Sequence, residues 1–411
     1  MKSKIDNLKF LKQKIKKMKT SKLIIAAFVL PLSVWLTACD KDDDPVGPPD
    51  ETGNTVVTAN ISANTTWTKD KVYELAGRIT VLSGATLTIQ PGTIIKGQAG
   101  AGASSTALLI ARGAKLMAEG TASAPIIFTS VADEITPADV AAGNFASPNL
   151  ASTTNGLWGG LIVLGNAPIS ASAQAVQIEG IPTSDQNGLY GGTNAADNSG
   201  VLKYISIRHG GTEIGAGNEI NGLTLGGVGS GTVIENIEVV GNQDDGIEWF
   251  GGTVNVKNVV IWDAGDDGLD TDQAWTGTVD NFAVLTVGGH CFELDGPEGA
   301  VNTNPHTIKN GYVDAEGSAD LINTDANTYV NLQNIFITNI GAGQVVRHNA
   351  PAGVVTYSGI NLDIPSGVIT DYIKNNAGAL VSVTGIVKGT ANTFNAASLN
   401  WTWAAKAGAL N

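Results

Sequence analysis

Cysteine is nearly missing from this chain: its 411 residues hold two, Cys39 and Cys291, so no disulfide framework holds it together. Histidine is almost as scarce, with four residues at no transition-metal ligand spacing. Basic residues number 24 against 38 acidic ones, and the resulting charge of −14 is uneven. Residues 1–38 carry nine Lys and one Asp, which leaves the remainder near −22. Such a surface repels phosphate backbones and attracts cations, so nucleic acid is excluded as a partner. Helix-forming patterning is absent too. With 51 Gly, 14 Pro and 15% charged residues, the chain is too glycine-rich for a helical bundle and reads as all-β.

The N-terminus explains one of the cysteines. A Lys-rich stretch to Lys22 precedes the apolar run Leu23–Leu36, 14 residues broken by Pro31. That is too short to span a bilayer and suits a signal sequence. Leu36-Thr37-Ala38-Cys39 resembles a lipobox, which implies cleavage before Cys39 and a diacylglycerol anchor on its sulfur. Residues 1–38 are thus expected to be a lipoprotein signal peptide, with Met18 opening a more typical leader than Met1. Residues 39–58, beginning Cys39-Asp40-Lys41-Asp42-Asp43-Asp44 and rich in Pro, form an acidic tether that cannot pack a core. The acidic run resembles the export tag of lipoproteins that Bacteroidota carry to the outer face of the outer membrane.

Residues 59–411 read as one domain, because they repeat. An Asn recurs inside short apolar strands at Asn236, Asn258, Asn281, Asn310 and Asn334, at intervals of 22, 23, 29 and 24 residues. A little over 20 residues is what one rung of a parallel β-helix needs, so each Asn is expected to stack above the last as a ladder. Two stretches, 131–156 and 171–199, break the period and are expected to project as loops. Trp401 and Trp403 are expected to close the last open rung.

Three segments carry a family resemblance: Leu82–Ile95, Gly217–Gly229 and Asp244–Val254, the last reading Asp-Asp-Gly-Ile-Glu-Trp-Phe-Gly-Gly-Thr-Val. They look like a family of uncharacterised Bacteroidota surface lipoproteins, similar in fold to the pectin-lyase-like right-handed parallel β-helices. The resemblance implies a fold and brings no activity.

Site candidates come from the ladder register. Twelve residues beyond the ladder Asn stand Glu248, Asp270 and Glu293, and two further on Asp272 and Asp295. Alternation with apolar neighbours predicts that these carboxylates face outward as one ledge. With no Arg in these rungs, a hard cation such as Ca2+ is the simplest partner. Nine residues beyond the ladder stand Asp245, Asp267 and His290, with Asp266 beside the second. These resemble the acid stations of polygalacturonases, which implies inverting hydrolysis. The Arg-x-Lys pair of that family is missing where it would fall, at Ala319–Asn323. Trp158, Tyr190, Trp262 and Trp275 are candidates for stacking on sugar rings.

Three functions follow as expectations. The first is a non-catalytic cell-surface lipoprotein that binds glycan or protein through a cation-bound face. The others are a polysaccharide hydrolase and an accessory subunit of an outer-membrane transport or secretion complex.

Overall fold

The computed structural model describes residues 53–213, 220–299, 304–349, 351 and 354–410. Cys39, the signal peptide, Asp40–Asp50 of the tether and Gly217–Glu219 lie outside the described residues. The body is a right-handed parallel β-helix. Ten short strands from Arg78–Val81 to Ile373–Lys374 stack into one parallel sheet, and sixteen more form a second that wraps the other faces. Asn54–Val57 already pairs with Val72–Leu75, so the coil begins inside the segment read as tether, at Asn54.

The repeated Asn makes the corner. Asn236, Asn258, Asn281, Asn310 and Asn334 all have φ between 53° and 63°, a left-handed conformation that Asn tolerates better than most residues. Each interrupts a long strand: Glu235 faces Lys257 and Ile237 faces Val259, and the Asn between them is the bend. The side chains form the expected ladder, with Asn258 Nδ2 donating to Asn236 Oδ1 at 3.0 Å and Asn281 Nδ2 to Asn258 Oδ1 at 2.9 Å. The ladder breaks between Asn281 and Asn310, where the 29-residue step lies. Asn310 bonds Asp280 instead, and Asn281 bonds Asn395 and Ser398 of the C-terminal segment.

Inside the coil, like residues stack on like. Ile247, Leu269 and Phe292 form one buried column, and Trp249 and Trp275 stack at 4.8 Å.

Both insertions leave the coil but lie against it. Residues 131–156 carry the helix Pro137–Ala141, started by a Thr136–Asp139 capping box, and set Ile135, Val140 and Phe145 on Val72, Ile94 and Ile127. Residues 171–199 form a hairpin of Val176–Gln177 with Leu189–Tyr190 whose Ile178, Ile181 and Tyr190 cover Leu109, Ile162 and Leu164. Rung strands such as Leu161-Ile162-Val163-Leu164 are apolar on both faces, so their outer face needs such a cover.

Trp401 and Trp403 do not close the last rung. The C-terminal segment turns back along the outside of the long sheet, setting Leu399 and Ala404 on Val260, Ala283 and Leu285. Trp401 meets Tyr204 edge-on, and Trp403 packs against Trp262 and lies 5.0 Å from the guanidinium of Arg208. Beneath it Arg208 and Glu238 are buried as a pair, 3.8 Å apart.

Candidate functional site

The two candidate columns are parts of one site. Glu248, Asp270 and Glu293 face each other on successive strands of the ten-stranded sheet, as the register predicted. The same line continues through Thr224 on one side, and through Asn323, Arg347 and Lys374 on the other. It therefore runs from acid to amide to base along the axis. In the second column, Asp245 and Asp267 occupy the turns that lead into these strands, and His290 is the first residue of its strand.

Asp-Asp-Gly recurs in those turns for an architectural reason. A Cβ on Gly246 would come within 2.7 Å of the carbonyl of Gly268, and one on Gly268 within 2.7 Å of that of Cys291. The following rung passes too close for a side chain. The aspartates brace the same stack: Asp267 N donates to Asp245 Oδ1 at 2.9 Å, His290 N to Asp267 Oδ1, and Val345 N to Asp320 Oδ1 at 2.5 Å. Each carboxylate thus caps a backbone N–H one rung on. Part of the polygalacturonase-like pattern is accounted for by coil construction.

The carboxylates are less exposed than an outward ledge implies. Glu248 is 6% exposed and Asp245 7%, although both belong to the outward columns. One donor oxygen from each of Asp245, Glu248 and Asp270 lies within 4.8 Å of the others. No ion pair among the described residues involves any of the three; those nearby are His290 with Asp267 and Glu293, and Arg347 with Asp320. Burial, reinforced by mutual repulsion, pushes the carboxyl groups of Asp245, Glu248 and Asp270 well above the usual range. Asn221 donates to Glu248 Oε2, while its own Oδ1, on a residue 4% exposed, has no partner among the described residues. An uncompensated buried acceptor beside three crowded carboxylates leaves four oxygen donors for which a hard cation is the fitting partner. Donors of this kind, all oxygen, suit calcium rather than a thiolate- or imidazole-binding metal.

A second cluster is satisfied from within. Asp267 Oδ1 lies 3.1 Å from His290 Nδ1, and Glu293 Oε2 lies 3.8 Å from the same nitrogen. Burial alone would raise Asp267, but bonds from His290 and Glu293 outweigh it and hold Asp267 below its usual value. Glu293 is pushed up to about 8, chiefly by its hydrogen bond to Asp267. His290 is raised by its bond to Asp267. Asp267 is therefore the ionised member and Glu293 the proton carrier. Asp266, raised by burial, stands with Asp244 and Asp245.

Asp272 and Asp295 fall outside the three-donor set. Burial raises each to about 6, and Asp272 lines a cavity under the hairpin. Of the aromatic candidates, Trp158 and Trp275 are core residues whose indole N–H groups bond to the carbonyls of Arg208 and Val254. Trp262 lies under Trp403, so Tyr190 alone of the four borders a cavity at the site. Asn221, Asn323 and Arg347 were missed by sequence reasoning. Asn221 lies in the turn before its strand, and a 30-residue rung separates Glu293 from Asn323, which hides their register.

No curated protein and no solved structure matches the chain. Residues 59–409 match the family described as Pectate-lyase like beta helix domain. The chain belongs to this family of pectate-lyase-like β-helix proteins.

Proposed function

We propose that the protein is a non-catalytic cell-surface lipoprotein that binds glycan through a calcium-loaded face of its β-helix. The observation that carries the reading is the meeting of Asp245, Glu248 and Asp270 within 4.8 Å, beside the Oδ1 of Asn221, which has no partner among the described residues. These four residues would hold the ion, which would neutralise the crowded carboxylates and offer open coordination to sugar hydroxyls. Arg347 and Lys374, farther along the same line, supply positive charge to a chain lying along the axis. A lipid on Cys39 would anchor the body to the outer membrane, with the acidic tether Asp40–Asp44 directing it to the cell surface.

Hydrolysis is the weaker reading. Asp245 and Asp267 each spend an oxygen on a backbone N–H of the next rung, and Asp267 is further held by His290. An inverting pair needs carboxyls about 6.5–9.5 Å apart with room for a water between them. Here Asp244, Asp245 and Asp266 place donor oxygens within 4.8 Å. Screening the purified protein against immobilised glycans, with millimolar calcium and again with chelator, tests both readings. Calcium-dependent retention without release of reducing ends is expected. Release of reducing ends that Asp267→Asn abolishes would overturn the non-catalytic reading.

A further inference from the structure

Glu293 stands on the ledge between Asp270 and Asn323, and beside it Asp267 and His290 complete a group of mixed chemistry. One ligand atom from each of Asp267, His290 and Glu293 lies within 4.8 Å of the others. Asp267 and His290 are 23 residues apart, one rung of the coil. Read in order, the chain therefore shows no metal-ligand spacing; the winding supplies it.

The imidazole nitrogen sets the dimensions. His290 Nδ1 lies 3.1 Å from Asp267 Oδ1 and 3.8 Å from Glu293 Oε2. A tetrahedral zinc ion with bonds of about 2.0–2.2 Å holds its ligand atoms roughly 3.3–3.6 Å apart, a spacing that the two distances bracket. A separate observation comes from Asn323. Its Nδ2 donates to Glu293 Oε1 at 3.3 Å, which sets the amide against the group, while its Oδ1 is closed off from solvent and has no partner among the described residues. An acceptor left in that state calls for a donor, and a water bound to the ion would be one. The side chains of His290 and Glu293 are 24% and 31% exposed, so an ion can be reached from solvent.

We propose that Asp267, His290 and Glu293 form a second metal site, selective for zinc, next to the calcium set and sharing none of its ligands. Two carboxylates balance the charge of the ion, and the imidazole nitrogen, a poor ligand for calcium, selects zinc. The proposal does not depend on the glycan reading.

The full chain, purified in detergent and stripped with chelator, is titrated with zinc by calorimetry in millimolar calcium. One zinc ion per chain should bind, roughly a hundredfold more tightly than calcium does. Cobalt(II) in its place should give the strong visible absorption of a tetrahedral ion. His290→Gln and Glu293→Gln should each weaken zinc binding about tenfold or more and remove the cobalt absorption. The His290→Gln protein should keep the rise in melting temperature that calcium produces, and Asp270→Asn should do the reverse. No zinc uptake by folded wild-type protein, uptake that survives either substitution, or uptake lost in Asp270→Asn overturns the proposal. Zinc uptake governed by His290 in a protein without a calcium response upholds this site and refutes the calcium reading, so the two fail separately.

Discussion

Replacing Asn258 separates the two contributions of the ladder, its hydrogen bonds and its backbone bend. The side chain donates to Asn236 at 3.0 Å and accepts from Asn281 at 2.9 Å and from Ser398 Oγ at 3.2 Å. Three bonds at roughly 1 kcal/mol each, reduced for partial exposure, are worth about 2–3 kcal/mol. The backbone sits at φ 59°, where alanine costs a further ~1–2 kcal/mol and glycine pays no steric penalty. Asn258→Ala should therefore lose about 3–5 kcal/mol and Asn258→Gly about 1 kcal/mol less. Urea unfolding followed by tryptophan fluorescence reads both, with the wild type alongside. An alanine variant within about 0.5 kcal/mol of wild type, or a glycine variant at least as unstable as the alanine one, would refute this account of the corner.

Two further outcomes test parts distant from the site. Cys39→Ser should abolish incorporation of labelled palmitate, and labelling that persists would remove the lipid anchor. Trp403→Ala strips the cover from the buried Arg208–Glu238 pair and should cost about 3–5 kcal/mol, the usual loss for a large buried aromatic. Limited proteolysis should then release the C-terminal segment, and an unchanged digest would show that the segment does not depend on Trp403.

Much of the fold was legible because a solenoid writes its geometry into sequence period. The ladder asparagines gave the rung length, and counting from them placed Glu248, Asp270 and Glu293 in one line. What counting could not give was depth. Whether an outward side chain meets water depends on what lies over it, and the hairpin that covers Phe250, two residues beyond Glu248, comes some 70 residues earlier in the chain. A sign of that cover was present: Ala107–Ile110 and Leu161–Leu164 are apolar on both faces, which no solvated strand would be. The C-terminal tryptophans failed for a similar reason, since long-range docking of an arm leaves no periodic trace. The Asp-Asp-Gly turns read as chemistry by analogy, yet the glycine is dictated by the carbonyl of the next rung and the second aspartate by its N–H.

The central claim, a cation at Asp245, Glu248 and Asp270, meets its most direct test in the calcium dependence of melting temperature at two pH values. Without metal, carboxyls raised in the folded state contribute stability that is present at low pH and lost as pH rises through their folded values. Glu293 at about 8 and Asp272 and Asp295 at about 6 place much of that loss between pH 5 and 8. The chelated protein should therefore melt lower at pH 7.5 than at pH 5.5. Extracellular calcium sites have dissociation constants of about 0.1–1 mM, so ~10 mM calcium should return roughly 1.4–2.7 kcal/mol at pH 7.5. At pH 5.5, where protons compete for the same oxygens, the gain should shrink, and Asp270→Asn should remove it at both values. Sodium at matched ionic strength raising the melting temperature as much as calcium does, or a calcium response independent of pH and of Asp270, would contradict the account.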